Sequence, residues 1–366
     1  MSGPLPKPWV AAMTPYKPGR ADGIDGRPAA KLSSNENPLG TSPAARAALA
    51  EAAGTLHRYP DPSASGLRAA IAAQHRLDPE RVICGTGSDE LLHLAPAAFA
   101  GVGDEVLHAR FSFLVYPLAA RRVGATPVEA PDRDHAADID AMIGALSERT
   151  RVVFLANPNN PTGEYLRRDA IARLHDAMPP ECLLVVDQAY AEYLAPGEDD
   201  GAFELAKSAL NILITRTFSK IYGLASERIG WGYGPASVIE ALGKVRAPFN
   251  VTQAGQAAAI AALGDQGFVE TSRAHNARWR AWLADEIAAL GNAGLRALPS
   301  EANFLMVLFE GALSAEAAHD GLAERGLLVR WLPGQGLGHA LRITIGTEDQ
   351  VRAVAAALRE MVGERA

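Results

Sequence analysis

Ile212–Trp231 reads ILITRTFSKIYGLASERIGW, an apolar run that passes directly into a group of polar residues. It opens on the apolar run Ile212–Thr215, too short for a helix and without polar alternation. Such a run suits a strand buried on both faces of a parallel sheet. The run then ends in a crowd of polar groups: Thr217, Ser219, Lys220 and, eight residues later, Arg228. Similar runs lie upstream at Arg81–Cys84, Glu105–Ala109, Val152–Ala156 and Leu183–Val186, with helical patterns between them. Strands alternating with helices predict an α/β fold, a mostly parallel central sheet with helices on both faces. In such a sheet ligands bind beyond the carboxyl ends of the strands, where these polar residues fall.

Outward from this centre, the first 40 residues are rich in Pro, Gly and Asp and predict an extended arm. The first helix is expected at Pro43, with Ser42 as N-cap and proline at the first helical position. After residue 255 the pattern changes. Gly267–Leu290 predicts one long helix, followed by FLMVLF (Phe304–Phe309), another helix and LRITIG (Leu341–Gly346). The expected division is an arm (1–40) joining the small domain, a large domain (41–255) and a smaller α+β domain (256–366).

With 366 residues, 48 % apolar and 21 % charged, the chain is long enough for two packed cores. A net charge of −7 with no basic cluster argues against a nucleic-acid surface. The opening stretch MSGPLPKPWVAAMTP has no apolar h-region, and no run approaches the roughly 18 apolar residues of a membrane span. A soluble, cytoplasmic protein is expected. Cys84 and Cys182 each sit in an apolar run and are read as buried free thiols. The nine histidines show no ligand-like spacing, so no metal is expected.

Taken singly, each polar strand end has an ordinary structural explanation. Gly85-Thr86-Gly87 is a common strand-to-helix turn, NPNNPTG (Asn157–Gly163) favours turns, and an aspartate at Asp187 could cap a helix. Together they match the needs of pyridoxal phosphate: a phosphate cradle, a carboxylate for the ring nitrogen, a donor to the ring oxygen and a lysine for the imine. The helix opening at Ser88-Asp89 offers backbone N–H groups and a favourable dipole to a phosphate. Arg228 suits a bidentate phosphate contact, with hydroxyls from Thr217 and Ser219 beside it. Asp187 can hold the pyridine nitrogen protonated, and Tyr190 lies within reach of the ring oxygen.

The segments SNENPLG (Ser34–Gly40), RYPDP (Arg58–Pro62), GTGSDE (Gly85–Glu90), NPNNPTG, DQAY (Asp187–Tyr190), TFSKIYGLASERIGW (Thr217–Trp231) and LRITIGT (Leu341–Thr347) resemble the fold-type I pyridoxal-phosphate aminotransferases. Within them the likeness is to the histidinol-phosphate aminotransferase family, and it spans residues 34 to 347. The resemblance implies that Lys220 binds the cofactor and serves as base, that Asp187 pairs with the ring nitrogen, and that Asn157 and Tyr190 meet the ring oxygen. It assigns the cofactor phosphate to Ser88, Asp89, Ser219 and Arg228. Phe113 is the expected stacking aromatic, with Phe111 its rival. Tyr59 is expected to reach the cofactor of a second subunit, making the active unit a homodimer. Arg342 is expected to grip the carboxylate of glutamate and, in the other half-reaction, the phosphate end of the amino substrate. Tyr16, Asn37 and Arg330 complete the expected substrate set.

The implied reaction moves the amino group between histidinol phosphate and 2-oxoglutarate, reversibly and by a ping-pong scheme. An aromatic amino-acid aminotransferase is the first alternative, and a pyridoxal-dependent phospho-amino-acid decarboxylase the second. A nicotinamide dehydrogenase fails because Glu90 stands where the third fingerprint glycine would be, and GQGLG (Gly334–Gly338) lacks a following helix. A pyridoxal-binding DNA regulator fails on net charge.

Overall fold

A computed structural model describes residues 3–15 and 29–364. Seven strands form the larger sheet: β1 (Val82–Gly85), β2 (Glu105–Ala109), β3 (Thr126–Ala130), β4 (Thr150–Ala156), β5 (Leu183–Asp187), β6 (Ile212–Thr217) and β7 (Gly230–Tyr233). Their spatial order is β1-β7-β6-β5-β4-β2-β3. β7 runs antiparallel to β1 and β6, and the remaining pairings are parallel. Strands β1, β2, β5 and β7 are buried at every position, as strands inside a sheet covered on both faces are. The apolar strands expected from sequence are all present. Two more, β3 and β7, are not visible in it, because TPVEA carries a proline and lies half-exposed at the edge, while GWGY is half glycine.

Register decides where the chemistry falls. Ala156 pairs with Asp187, and Asp187 with Thr215, so the ends of β4, β5 and β6 lie side by side. Above and below the sheet lie two apolar layers, one with Leu67, Ile71, Val153, Leu184 and Ile214, the other with Leu91, Leu92, Phe154, Val185 and Leu213. The first helix spans Pro43–Ala52, and Ser42 accepts from the N–H of Ala45 as expected of the cap.

A four-stranded antiparallel sheet, β8 (Leu295–Ala297), β9 (Phe304–Phe309), β10 (Arg330–Leu332) and β11 (Leu337–Thr344), has the order β8-β9-β11-β10. Its core joins Leu305, Val307, Leu341 and Ile343 to Trp279, Leu283, Val354 and Leu358 of the helices Gln266–Ala288 and Glu348–Gly363. The arm enters here. Ala30–Lys31 pairs in parallel with Leu327–Leu328, while Pro8–Ala11 packs on the helix Val115–Arg122 beside the larger sheet. The boundary expected after residue 255 falls inside the helix Gln253–Gly264, whose Ala258, Ala259, Ala262 and Leu263 belong to the larger core.

Candidate active site

A cavity of about 750 Å³ opens at the carboxyl ends of β4, β5 and β6. Its floor is the strand ends, and Arg330 and Arg342 of the smaller sheet form its far wall. Asp187, the last residue of β5, is 5 % exposed and sits at the bottom. It accepts from Tyr116 Oη at 2.9 Å and from Thr215 Oγ1 at 3.2 Å. Burial pushes its carboxyl up to about 6 and the negative charge of Asp89 adds to this, while the Tyr116, Thr215 and Ala189 donors oppose it.

Lys220 follows β6 by three residues and also lines the cavity. Its Nζ donates to the carbonyl of Ser34 at 3.2 Å and lies 5.7 Å from the centre of the Tyr190 ring. Burial, then the charges of Arg342 and Arg228, lower the ammonium to about 8 against the opposing Glu36 and Asp187. An amine in this state is partly neutral near physiological pH, as a nucleophile or base must be.

An anion cradle occupies one end. The helix Gly87–Phe99 begins there, presenting Ser88 and Asp89 in its first turn. Arg228 donates to Ser219 Oγ at 3.3 Å, and Thr217 Oγ1 accepts from the Ser219 N–H at 3.1 Å. Two glycines make the approach possible. A Cβ on Gly230 would stand 2.1 Å from Ser88 N, and one on Gly87, at φ +78°, would stand 2.7 Å from Arg228 Nη2.

Phe113 lines the cavity, and its rival Phe111 packs instead among Leu298, Met306, Leu308 and Leu337. Tyr190 also lines it, and its hydroxyl accepts from Asn35 Nδ2 at 2.9 Å.

Two expected residues are not in the cleft. Asn157 turns away: its amide donates to the Leu166 carbonyl and to Asp200 at 2.9 Å each, and its oxygen accepts from Leu166 N–H. Asn160 of the same loop faces the cavity instead and accepts from Arg342. Asn37 donates to the carbonyl of Ile221 at 2.7 Å and to Ser272 Oγ at 3.0 Å, so it braces the residue after Lys220 rather than meeting a substrate. Tyr59 is 82 % exposed against Phe249 at 4.7 Å, outside this cavity. Tyr16 lies outside the described residues. Sequence reasoning missed Asn160, Tyr116 and Asn35. Asn160 stood in the quoted loop, but nothing in the pattern says which of its asparagines turns inward. Cys84 and Cys182 are buried free thiols.

Residues 27–358 match the family model described as aminotransferase class I and II. The chain belongs to this family. It is 62 % identical over 357 residues to the histidinol-phosphate aminotransferase of Sphingopyxis alaskensis, covering 97 % of this chain and 96 % of that one. The histidinol-phosphate aminotransferase of Zymomonas mobilis is 59 % identical, with 98 % and 97 % covered. Among solved structures, the histidinol-phosphate aminotransferase of Sinorhizobium meliloti in complex with pyridoxal-5′-phosphate superposes with a TM-score of 0.89 at 27 % identity. That match covers 100 % of this chain and 99 % of the other.

Proposed function

We propose that the chain is a pyridoxal-phosphate-dependent histidinol-phosphate aminotransferase of histidine biosynthesis, exchanging the amino group of histidinol phosphate with 2-oxoglutarate to give imidazole-acetol phosphate and glutamate. The observation that carries this reading is the convergence of a buried amine (Lys220), a buried carboxylate (Asp187), an anion cradle (Ser88, Ser219, Arg228) and a second anion site (Arg330, Arg342) on one cavity. The donor set fits the cofactor: the cradle is open only because Gly87 and Gly230 lack side chains, and its charge suits a phosphate.

Bound there, pyridoxal phosphate supplies an aldehyde to link with amines and a ring that draws electron density from the substrate α-carbon. This chain's residues do the rest. Ser88 and Asp89 offer backbone N–H groups, and Ser219, Thr217 and Arg228 complete the phosphate site. Asp187 keeps a proton on the ring nitrogen. Tyr190 and Asn160 would hydrogen-bond the ring oxygen, and Phe113 would pack against the ring. Lys220 Nζ receives the proton leaving the substrate α-carbon. Arg342 holds the carboxylate of glutamate, and Arg330 joins it at the phosphate of the other substrate, with Tyr16 as a further partner. With the amino group held on the enzyme between half-reactions, the two substrates use one anion site in turn, in ping-pong order.

The active unit is a homodimer in the cytoplasm. In support, Leu56, Tyr59, Phe249 and Ile260 expose apolar surface, and Tyr59 lies outside this chain's own cavity. The smaller domain begins near residue 265, with the long helix Gln266–Ala288 whose Trp279, Leu283 and Ile287 belong to its core, and includes the arm strand Ala30–Lys31. Among the described residues no helix is long and apolar enough to cross a membrane.

Single-turnover spectroscopy tests the assignment. The visible band of the purified protein is followed after adding histidinol phosphate, phenylalanine or glutamate. Bleaching by histidinol phosphate and glutamate, far faster than by phenylalanine, is expected. Equal rates for phenylalanine would replace the assignment with a broad aromatic aminotransferase.

A further inference from the structure

Tyr116 sits in the helix Val115–Arg122, 71 residues before Asp187, and has no exposed surface. Its ring stacks on Phe154 at 4.5 Å between centres, nearly parallel at 4°, and meets Phe113 edge-on at 6.0 Å. Its one polar atom donates to Asp187 Oδ2, while Thr215 donates to Oδ1. A phenol buried among apolar rings holds its proton tightly: burial and the facing carboxylate push its own ionisation well above the usual value. It is therefore a donor at every working pH, and its position is fixed by packing rather than by solvent.

We infer that Tyr116 is a positioning residue for this reaction: through its hydrogen bond it holds the Asp187 carboxylate ionised and aimed at the cofactor's ring nitrogen, while its ring edge sets Phe113 against the ring face. The inference deepens the reading above and rests on it. The physical need is plain. A carboxylate out of water gains proton affinity, and a carboxylate that keeps the shared proton leaves the pyridine neutral and a poor electron sink. Two side-chain donors, one on each oxygen, lower that affinity together with the Ala189 N–H. The other charged or titratable groups facing Asp187 are Asp89 from the helix Gly87–Phe99, which raises its affinity, and Lys220 beyond β6, coupled to it in the opposite sense. Tyr190, on the turn after β5, couples in the same way to Tyr116.

The test is the pH dependence of pyridoxal-phosphate affinity in the full-length protein, measured by the visible band, for wild type and Tyr116→Phe. Losing a hydrogen bond to a charged group raises the proton affinity of Asp187 about tenfold or more, so the acid midpoint of cofactor binding moves up by about one pH unit. In steady state kcat falls about tenfold with KM little changed, since the substrate anion sites are untouched. Phe154→Leu is the control for packing: it lowers thermal stability and leaves the midpoint in place. Thr215→Val removes the longer of the two donors and gives a smaller upward shift, which tests the idea even if Tyr116→Phe fails to fold. A Tyr116→Phe midpoint coinciding with wild type, or a Phe154→Leu midpoint moving as far as that of Tyr116→Phe, overturns the inference. Wild-type protein that takes no cofactor at any pH overturns the functional reading itself, a separate result.

Discussion

Arg342 donates to the carbonyl of Ser33 at 2.7 Å, one residue from the Ser34 carbonyl that accepts from Lys220. The arm thus holds the anion-gripping arginine and the reactive amine in register, and 8 % exposure leaves Arg342 little freedom. Under the proposed function, Arg342→Ala would remove a charged contact common to both substrates. Its kcat/KM is expected to fall about 100-fold for glutamate and histidinol phosphate alike. Arg330→Ala should lose a similar factor with histidinol phosphate and much less with glutamate. Steady-state kinetics with each amino donor measures both.

Lys220 links activity to stability. Lys220→Ala should lose at least about 1,000-fold in turnover, the range general-base and nucleophile deletions reach. In the cofactor-free protein, burial sets its folded pKa at about 8 against the usual 10.5. Between these values the unfolded chain holds a proton that the folded chain has released, so stability rises with pH across that window. Denaturant unfolding of cofactor-free wild type from pH 8 to pH 10.5 should show this rise, and Lys220→Met should lack it.

Glu164 carries the opposite sign. Burial raises its carboxyl to about 7 although the N–H of Ala137 donates to it. From pH 4.5 to pH 7 the folded chain keeps a proton the unfolded chain has lost, and stability falls as pH rises. Glu164→Gln keeps an acceptor for Ala137 and removes the charge. It should match wild type near pH 4.5 and exceed it at pH 8, by on the order of 2 kcal/mol. Thermal melts at the two pH values decide it.

Gly230→Ala should abolish cofactor binding at concentrations that saturate wild type, because its Cβ would drive into the backbone of Ser88. Equilibrium dialysis reads this directly. Circular dichroism is expected to show the fold retained, since Gly230 is the first residue of β7 and pairs with Gly85 and Thr217, the last residues of their strands.

Tyr59 tests the shared site. Tyr59→Ala and Lys220→Ala proteins, each nearly inactive alone, should regain activity when unfolded and refolded together. In the proposed homodimer a mixed pair would have one complete site out of two: Lys220 from one subunit and Tyr59 from the other. An absence of recovery in verified mixed dimers counts against the subunit exchange.

Much of this architecture was legible in the chain. Ile212–Thr215 and Leu183–Val186 read as buried strands because burial on both faces leaves an apolar run, and their polar ends located the cleft. The fold and the family followed from the same segments. Side-chain rotation was not legible. Asn157 and Asn160 lie in one loop of seven residues, and only the path of the backbone turns one to Asp200 and the other to Arg342. Asn37 looked like a ligand contact because it stands in a distinctive motif, yet its amide satisfies backbone and hydroxyl groups around Lys220. Tyr116 carried no signal at all: a tyrosine in an apolar helix reads as core, and its bond to Asp187 depends on how helix and sheet pack.

Asn35 bonds Thr344 across 309 residues, and Ser33 and Arg342 span the same interval. On a translating ribosome, at roughly 5–20 residues per second, about 15–60 s separate the synthesis of these partners. The large sheet, complete at Tyr233, therefore emerges and packs while its lid is still unmade. For that interval the nascent chain carries a lysine and an aspartate at the strand ends without the strap across them, and the arm docks as a closing act once the last strand has left the exit tunnel.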